Sequence, residues 1–174
     1  MVSKPRERTV FWKDVTEIIQ RNISWGVKFE ALQNRICKFD QDFGLVSSGE
    51  NSDPENPHTF ADPGPASEPG YRSFVRDWEA GETTGIHGHP NVMVVYVVSG
   101  TIEERTFAVK NEGIVSAQTR VFSAGEMIAQ ANENHRFDNF VHQIQCLETA
   151  WTLHIYSAHP ARGCRYDADQ VFNN

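Results

Sequence analysis

Apolar positions near the N-terminus recur at helical spacing. Val15, Ile18 and Ile19 fall on one stripe and predict a short amphipathic helix over 11–22. Phe29, Leu32 and Ile36 fall on another and predict a second helix near 26–38. Residues 47–70 are rich in Ser, Asn, Pro, Gly and acidic residues, which predicts loops, with a short strand at His58-Thr59-Phe60. From about 71 the texture changes to β-branched and aromatic runs. Strands are expected at 71–78, 92–98, 101–109, 119–123, 126–130, 142–147 and 150–157. Gly81, Gly85, Gly100, Gly113 and Gly125 punctuate them. Many short strands with such turns indicate a sandwich or barrel. Long helices do not alternate with the strands, which argues against a doubly wound parallel sheet, and there is no internal repeat.

A length of 174 residues suits one domain with a sizeable core. No run reaches the ~18–20 apolar residues of a membrane helix. The basic N-terminal residues are not followed by an apolar stretch, so no signal peptide is expected. A net charge of −7 argues against nucleic acid as a partner. Cys37, Cys146 and Cys164 are far apart and form no CxxC pair, which indicates neither a zinc-cysteine site nor a disulfide framework. A cytoplasmic protein with reduced thiols is the expectation, without membrane or nucleic-acid partners.

The candidate chemistry sits at Gly85-Ile86-His87-Gly88-His89-Pro90. Residues two apart on a strand share a face, so His87 and His89 project together. Convergent imidazoles are what a divalent metal needs. A third ligand is expected from elsewhere, and His135 in Asn134-His135-Arg136-Phe137-Asp138-Asn139 is the candidate. His58, His142 and His159 are left unassigned and expected at the surface.

Residues 85–100 resemble the first cupin motif, with two histidines one residue apart and a glycine eleven after the second. His135 followed by Asn139 resembles the end of the second motif. Within the cupins, the chain is similar to the cysteine dioxygenase family of thiol dioxygenases over roughly residues 10–170. Trp78 nine residues before His87, the segment Leu153-His154-Ile155-Tyr156-Ser157, and Cys164 with Tyr166-Asp167 carry that likeness. It implies one cupin domain over 1–174, with a helical segment about 10–40 and a jelly-roll barrel about 58–160. It also implies Fe(II) held by His87, His89 and His135, with His154 and Tyr156 beside it and Thr152 at the serine of a Ser-His-Tyr relay. Alternation independently places Thr152, His154 and Tyr156 on one face.

Two departures stand out. Met93 occupies the position of the usual fourth-ligand glutamate, or of the cysteine that crosslinks to the active-site tyrosine in animal enzymes. A thioether makes no such crosslink, so Tyr156 is expected as an unmodified phenol. Phe60 falls near the family's substrate-binding arginine. A replacement is expected on Tyr71-Arg72-Ser73-Phe74-Val75-Arg76-Asp77-Trp78. The resemblance points Trp78 inward, and parity then puts Arg76, Phe74 and Arg72 on the same face. A buried guanidinium without an anion is costly, so Arg76, and with it Arg72, is expected to meet a substrate carboxylate.

The expected activity is therefore addition of O₂ to the sulfur of a small thiol carboxylate (cysteine, 3-mercaptopropionate or mercaptosuccinate), giving a sulfinate. The alternatives are a three-His cupin dioxygenase cleaving a carbon–carbon bond and a non-enzymatic small-molecule-binding cupin. Zinc also accepts three histidines, and either a monomer or a homodimer is compatible with the sequence.

Overall fold

The computed structural model describes residues 5–43, 52–53, 56–60, 72–110, 113–132, 136–157, 162–167 and 171–172. Both apolar stripes near the N-terminus fold as helices, α1 (Pro5–Gln20) and α2 (Trp25–Phe43). They bury Phe11, Val15, Ile18, Ile19, Leu32, Ile36 and Phe39 in one cluster. The Lys28 ammonium donates to the Ile19 carbonyl at 2.7 Å. It thereby satisfies a carbonyl of the last turn of α1, which lacks an intrahelical partner. Arg35 pairs with Asp14 at 2.8 Å across the two helices. Neither helix is long and apolar enough to cross a membrane.

Ten strands follow among the described residues: β1 (Ser52–Asp53), β2 (Asn56–Phe60), β3 (Arg72–Trp78), β4 (Ile86–His89), β5 (Val92–Lys110), β6 (Gly113–Ser123), β7 (Met127–Ala131), β8 (Asn139–Tyr156), β9 (Arg165–Tyr166) and β10 (Val171–Phe172). The long strands β5 and β8 run antiparallel to each other from Met93↔Tyr156 to Thr106↔His142, with register shifts around Ser99–Thr101. At one end they are flanked by β7 and β3. At the other they are flanked by β6 and β4, with β9 beyond β4 and β10 parallel to β6. The result is a mostly antiparallel jelly-roll β core built on two long shared strands, preceded by the helices. The expected strand pairs 92–98/101–109 and 142–147/150–157 are thus two continuous strands.

The break in register between β5 and β8 falls at Gly100. Its φ is +76°, and a Cβ there would lie 2.2 Å from the Thr149 carbonyl oxygen of β8. Only glycine takes this conformation without strain and permits that approach.

The helices explain the uninterrupted apolar run of β5. Val94, Tyr96, Leu153 and Ile155 face outward into the helix cluster. Met93, Val95, Val97 and Tyr156 face inward with Trp78, Ile102, Ile144 and Cys146. Both faces of the strand are covered, so it reads as a continuous apolar run rather than an alternation. Met93 is fully buried opposite Tyr156 and serves as core packing.

Candidate metal centre and adjoining cavity

His87 and His89 lie on β4, and Gly88 between them lets the next segment approach. A Cβ at 88 would sit 2.7 Å from the Phe137 carbonyl oxygen and 2.8 Å from the Asp138 Cα. β4 pairs with the start of β8 through His87↔His142 and His89↔Asn139, so Phe140 and Val141 of β8 stand against the single Gly88 of β4. Phe140 adopts φ 51° within this bulge, a left-handed conformation uncommon for a bulky residue.

That register carries His142 inward. His142 is 1% exposed, and its Nε2 lies 2.8 Å from His89 Nε2. His87, His89 and His142 each offer a ring nitrogen, all within 4.8 Å of one another. This corrects the expectation of a surface position for His142. The sequence did hold the signal: His142 shares strand parity with Ile144 and Cys146, both in the interior cluster. His135 lies outside the described residues, and the third imidazole among the described ones is His142. Asn139, the other half of that motif, donates from Nδ2 to the Arg136 carbonyl at 2.6 Å.

The partners of the rings assign their tautomers. His87 Nδ1 lies 2.9 Å from the Gly85 carbonyl, which only accepts, so Nδ1 carries the proton. His142 Nδ1 lies 2.8 Å from Oε1 of the fully buried Glu104, whose Oε2 accepts from Arg120 at 2.6 Å. Burial raises the Glu104 carboxyl, but hydrogen bonds and charge from His142 and Arg120 outweigh it and hold the group ionised. Burial, reinforced by His142, lowers His87 to about 4 and places His89 well below its ordinary value. His89 Nδ1 is buried without a hydrogen-bond partner. Converging imidazoles, two of them kept uncharged by burial and the third braced by a carboxylate, fit a divalent metal ion.

A second hydrogen-bonded chain runs along β8. Trp78 Nε1 donates to Thr152 Oγ1 at 2.8 Å. Thr152 Oγ1 lies 2.7 Å from His154 Nε2, and His154 Nδ1 lies 2.8 Å from the Tyr156 hydroxyl. The imidazole thus bridges two hydroxyls. Phe74 stacks on His154 with centroids 4.6 Å apart and planes 7° apart. Burial, then the Arg76 charge, keeps His154 neutral. Burial raises Tyr156 well above an ordinary phenol despite the opposing pull of Arg76, so it stays protonated. Tyr156 stacks on His89 at 5.0 Å, which joins this chain to the histidine cluster.

A cavity of about 460 Å³ opens between the two, lined by Phe74, Arg76, Trp78, His87, His142 and Tyr156 among others. Arg76 lies 3.6 Å above the Trp78 ring and pairs with Glu82. The Glu82 carboxylate is thus one anion that Arg76 meets. Arg72 stands opposite Tyr156 in the β3–β8 ladder, its side chain outside the described residues, as is that of Phe60. Arg165 also lines the cavity, from β9, where its backbone pairs with His87. No carboxylate pairs with it among the described residues. Sequence reasoning passed over Arg165 because two residues of β9 carry no periodicity to orient them.

No protein-family model and no curated protein matches the chain. Solved structures do resemble it. A conserved protein of unknown function from Streptococcus pyogenes is 17% identical, with a TM-score of 0.40 over 52% of this chain and 66% of that one. A cupin superfamily protein from Desulfitobacterium hafniense is 12% identical, with a TM-score of 0.42 over 54% of this chain and 72% of the other. Oxalate decarboxylase from Bacillus subtilis is 17% identical, with a TM-score of 0.43 over 55% of this chain but 24% of the enzyme.

Proposed function

We propose that the protein is a mononuclear non-haem Fe(II) thiol dioxygenase acting on a small thiol that carries a carboxylate. One observation carries the reading: the Thr152–His154–Tyr156 chain ends in a phenol stacked on a histidine of the three-His cluster. A site that merely binds a small molecule has no need of such a relay.

His87, His89 and His142 would hold the metal. Fe(II) bound there would supply adjacent positions for a thiolate and for dioxygen. Three neutral ligands leave the metal charge to be balanced by the thiolate, in contrast to the more common set of two histidines and one carboxylate. The overall reaction is R–S⁻ + O₂ → R–SO₂⁻. The O–O bond breaks, both oxygens bond to sulfur, and sulfur gives up four electrons, so no external reductant is required.

Tyr156, kept protonated by burial, donates a hydrogen bond into the cavity. His154 orients it, and Thr152, held by Trp78, orients His154. Arg165 presents a guanidinium for the substrate carboxylate, while Arg76 is partly satisfied by Glu82. With Arg165 lacking a carboxylate partner among the described residues, a monocarboxylate such as cysteine or 3-mercaptopropionate suits the cavity.

The test is oxygen uptake by anaerobically Fe(II)-loaded protein with cysteine, 3-mercaptopropionate, mercaptosuccinate and cysteamine. Uptake matched by sulfinate is expected with a monocarboxylate and not with cysteamine, whose ammonium meets two arginines. No uptake with any of the four sinks the reading. Uptake with an enolisable diketone instead would replace it with carbon–carbon cleavage.

A further inference from the structure

Glu104 is the one acidic residue among the fully buried polar groups of the described chain. Its neighbours in the register, Ile102 and Ile144, belong to the apolar interior. Packing alone would favour another aliphatic residue here, since a carboxylate in an apolar core is costly unless both oxygens are bonded. Both are: Oε1 to His142 Nδ1 and Oε2 to Arg120, which stands directly opposite on β6. Arg120 in turn opens onto a different cavity, between α2 and the sheet, and its side chain is 40% exposed. A charged line therefore runs through the wall of the barrel and ends on a ring of the histidine cluster.

We propose that Glu104, braced by Arg120, is a positioning residue that fixes His142 as the Nδ1–H tautomer and thereby presents Nε2 to the metal. This rests on the reading of His87, His89 and His142 as a metal site. A carboxylate accepts only, so it forbids the tautomer with the proton on Nε2, the nitrogen facing His89. It also removes the freedom of the ring to rotate about χ2. A hydrogen-bonded carboxylate raises the donor strength of a ligating imidazole, and loss of such a partner weakens metal binding by about 10–100-fold. Arg120 keeps the carboxylate from turning away and balances its charge.

Co(II) is the probe, with affinity read by chelator competition and geometry by visible absorption. Glu104→Ala is expected to weaken Co(II) binding by about 10–100-fold and to change the absorption bands. Glu104→Gln, whose amide oxygen still accepts from Nδ1, is expected to fall between Ala and wild type, and Arg120→Gln to weaken binding less than Glu104→Ala. Long-range ¹H–¹⁵N spectra of the metal-free wild type should show His142 protonated at Nδ1. That last measurement holds even where Glu104→Ala does not fold. A folded Glu104→Ala protein with wild-type Co(II) affinity and spectrum overturns the proposal, as does a wild-type His142 protonated at Nε2. Wild type that binds no Co(II) overturns the metal reading and the proposal with it, whereas loss confined to the variants supports both.

Discussion

Tyr156 is where the two hydrogen-bonded systems meet, so it separates binding from chemistry. Tyr156→Phe keeps the ring on His89 and removes only the hydroxyl that His154 holds. Metal content should stay at the wild-type level, while kcat for thiol oxidation should fall by about 100-fold, the usual scale for loss of one positioned donor. Equal losses of metal and activity would instead make Tyr156 a packing residue. At the cluster itself, His142→Ala removes the only described imidazole that faces both His87 and His89. Its bound metal, measured by elemental analysis, should drop to background. His135→Ala, assayed beside it, should retain metal, and the reverse result would return the third ligand to His135.

At the scale of elements, the register shifts of β5 against β8 around Gly100 separate the stretch flanked by β3 and β7 from the one flanked by β4 and β6. Gly100→Ala puts a Cβ against the Thr149 carbonyl and holds a side chain at positive φ. Urea unfolding should show a loss of at least about 1–3 kcal/mol, the cost of such strain. A neutral result would mean that β8 shifts freely at that crossing. Much of this architecture was legible beforehand. Helical stripes, β-rich runs and the parity of Thr152, His154 and Tyr156 all follow from local period. Gly100, however, read as a break between strands, since a glycine marks a turn and a register shift with the same letter. His142 was passed over because it sits at a strand start beside polar residues, although its parity with Ile144 pointed inward. Glu104 and Arg165 depend on cross-strand partners set by register and by the bulge at Phe140, which no local pattern encodes.

For the molecule as a whole, burying uncharged histidines couples folding to pH. His87 moves from its ordinary 6.5 to about 4, and His89 and His154 lie well below 6.5. Between those limits the unfolded chain binds protons that the folded chain refuses. Unfolding free energy therefore rises with pH, by about 1.4 kcal/mol per pH unit for each proton so linked. The contribution is fully present above 6.5 and is lost as pH falls toward 4 for His87. Glu104 acts in the same direction at the acid end, since its carboxyl is lowered and must be protonated when the chain unfolds in acid. Metal adds a second term of the same sign, because it binds deprotonated imidazoles and stabilises the folded state by mass action. Urea unfolding of metal-free protein should thus give a markedly lower midpoint at pH 5.5 than at pH 7.5. Saturating Co(II) should raise the midpoint at pH 7.5 far more than at pH 5.5. If the metal-free midpoint were the same at both values, the imidazoles would have to be solvated and free to protonate in the folded state, and the closed cluster of His87, His89 and His142 could not stand.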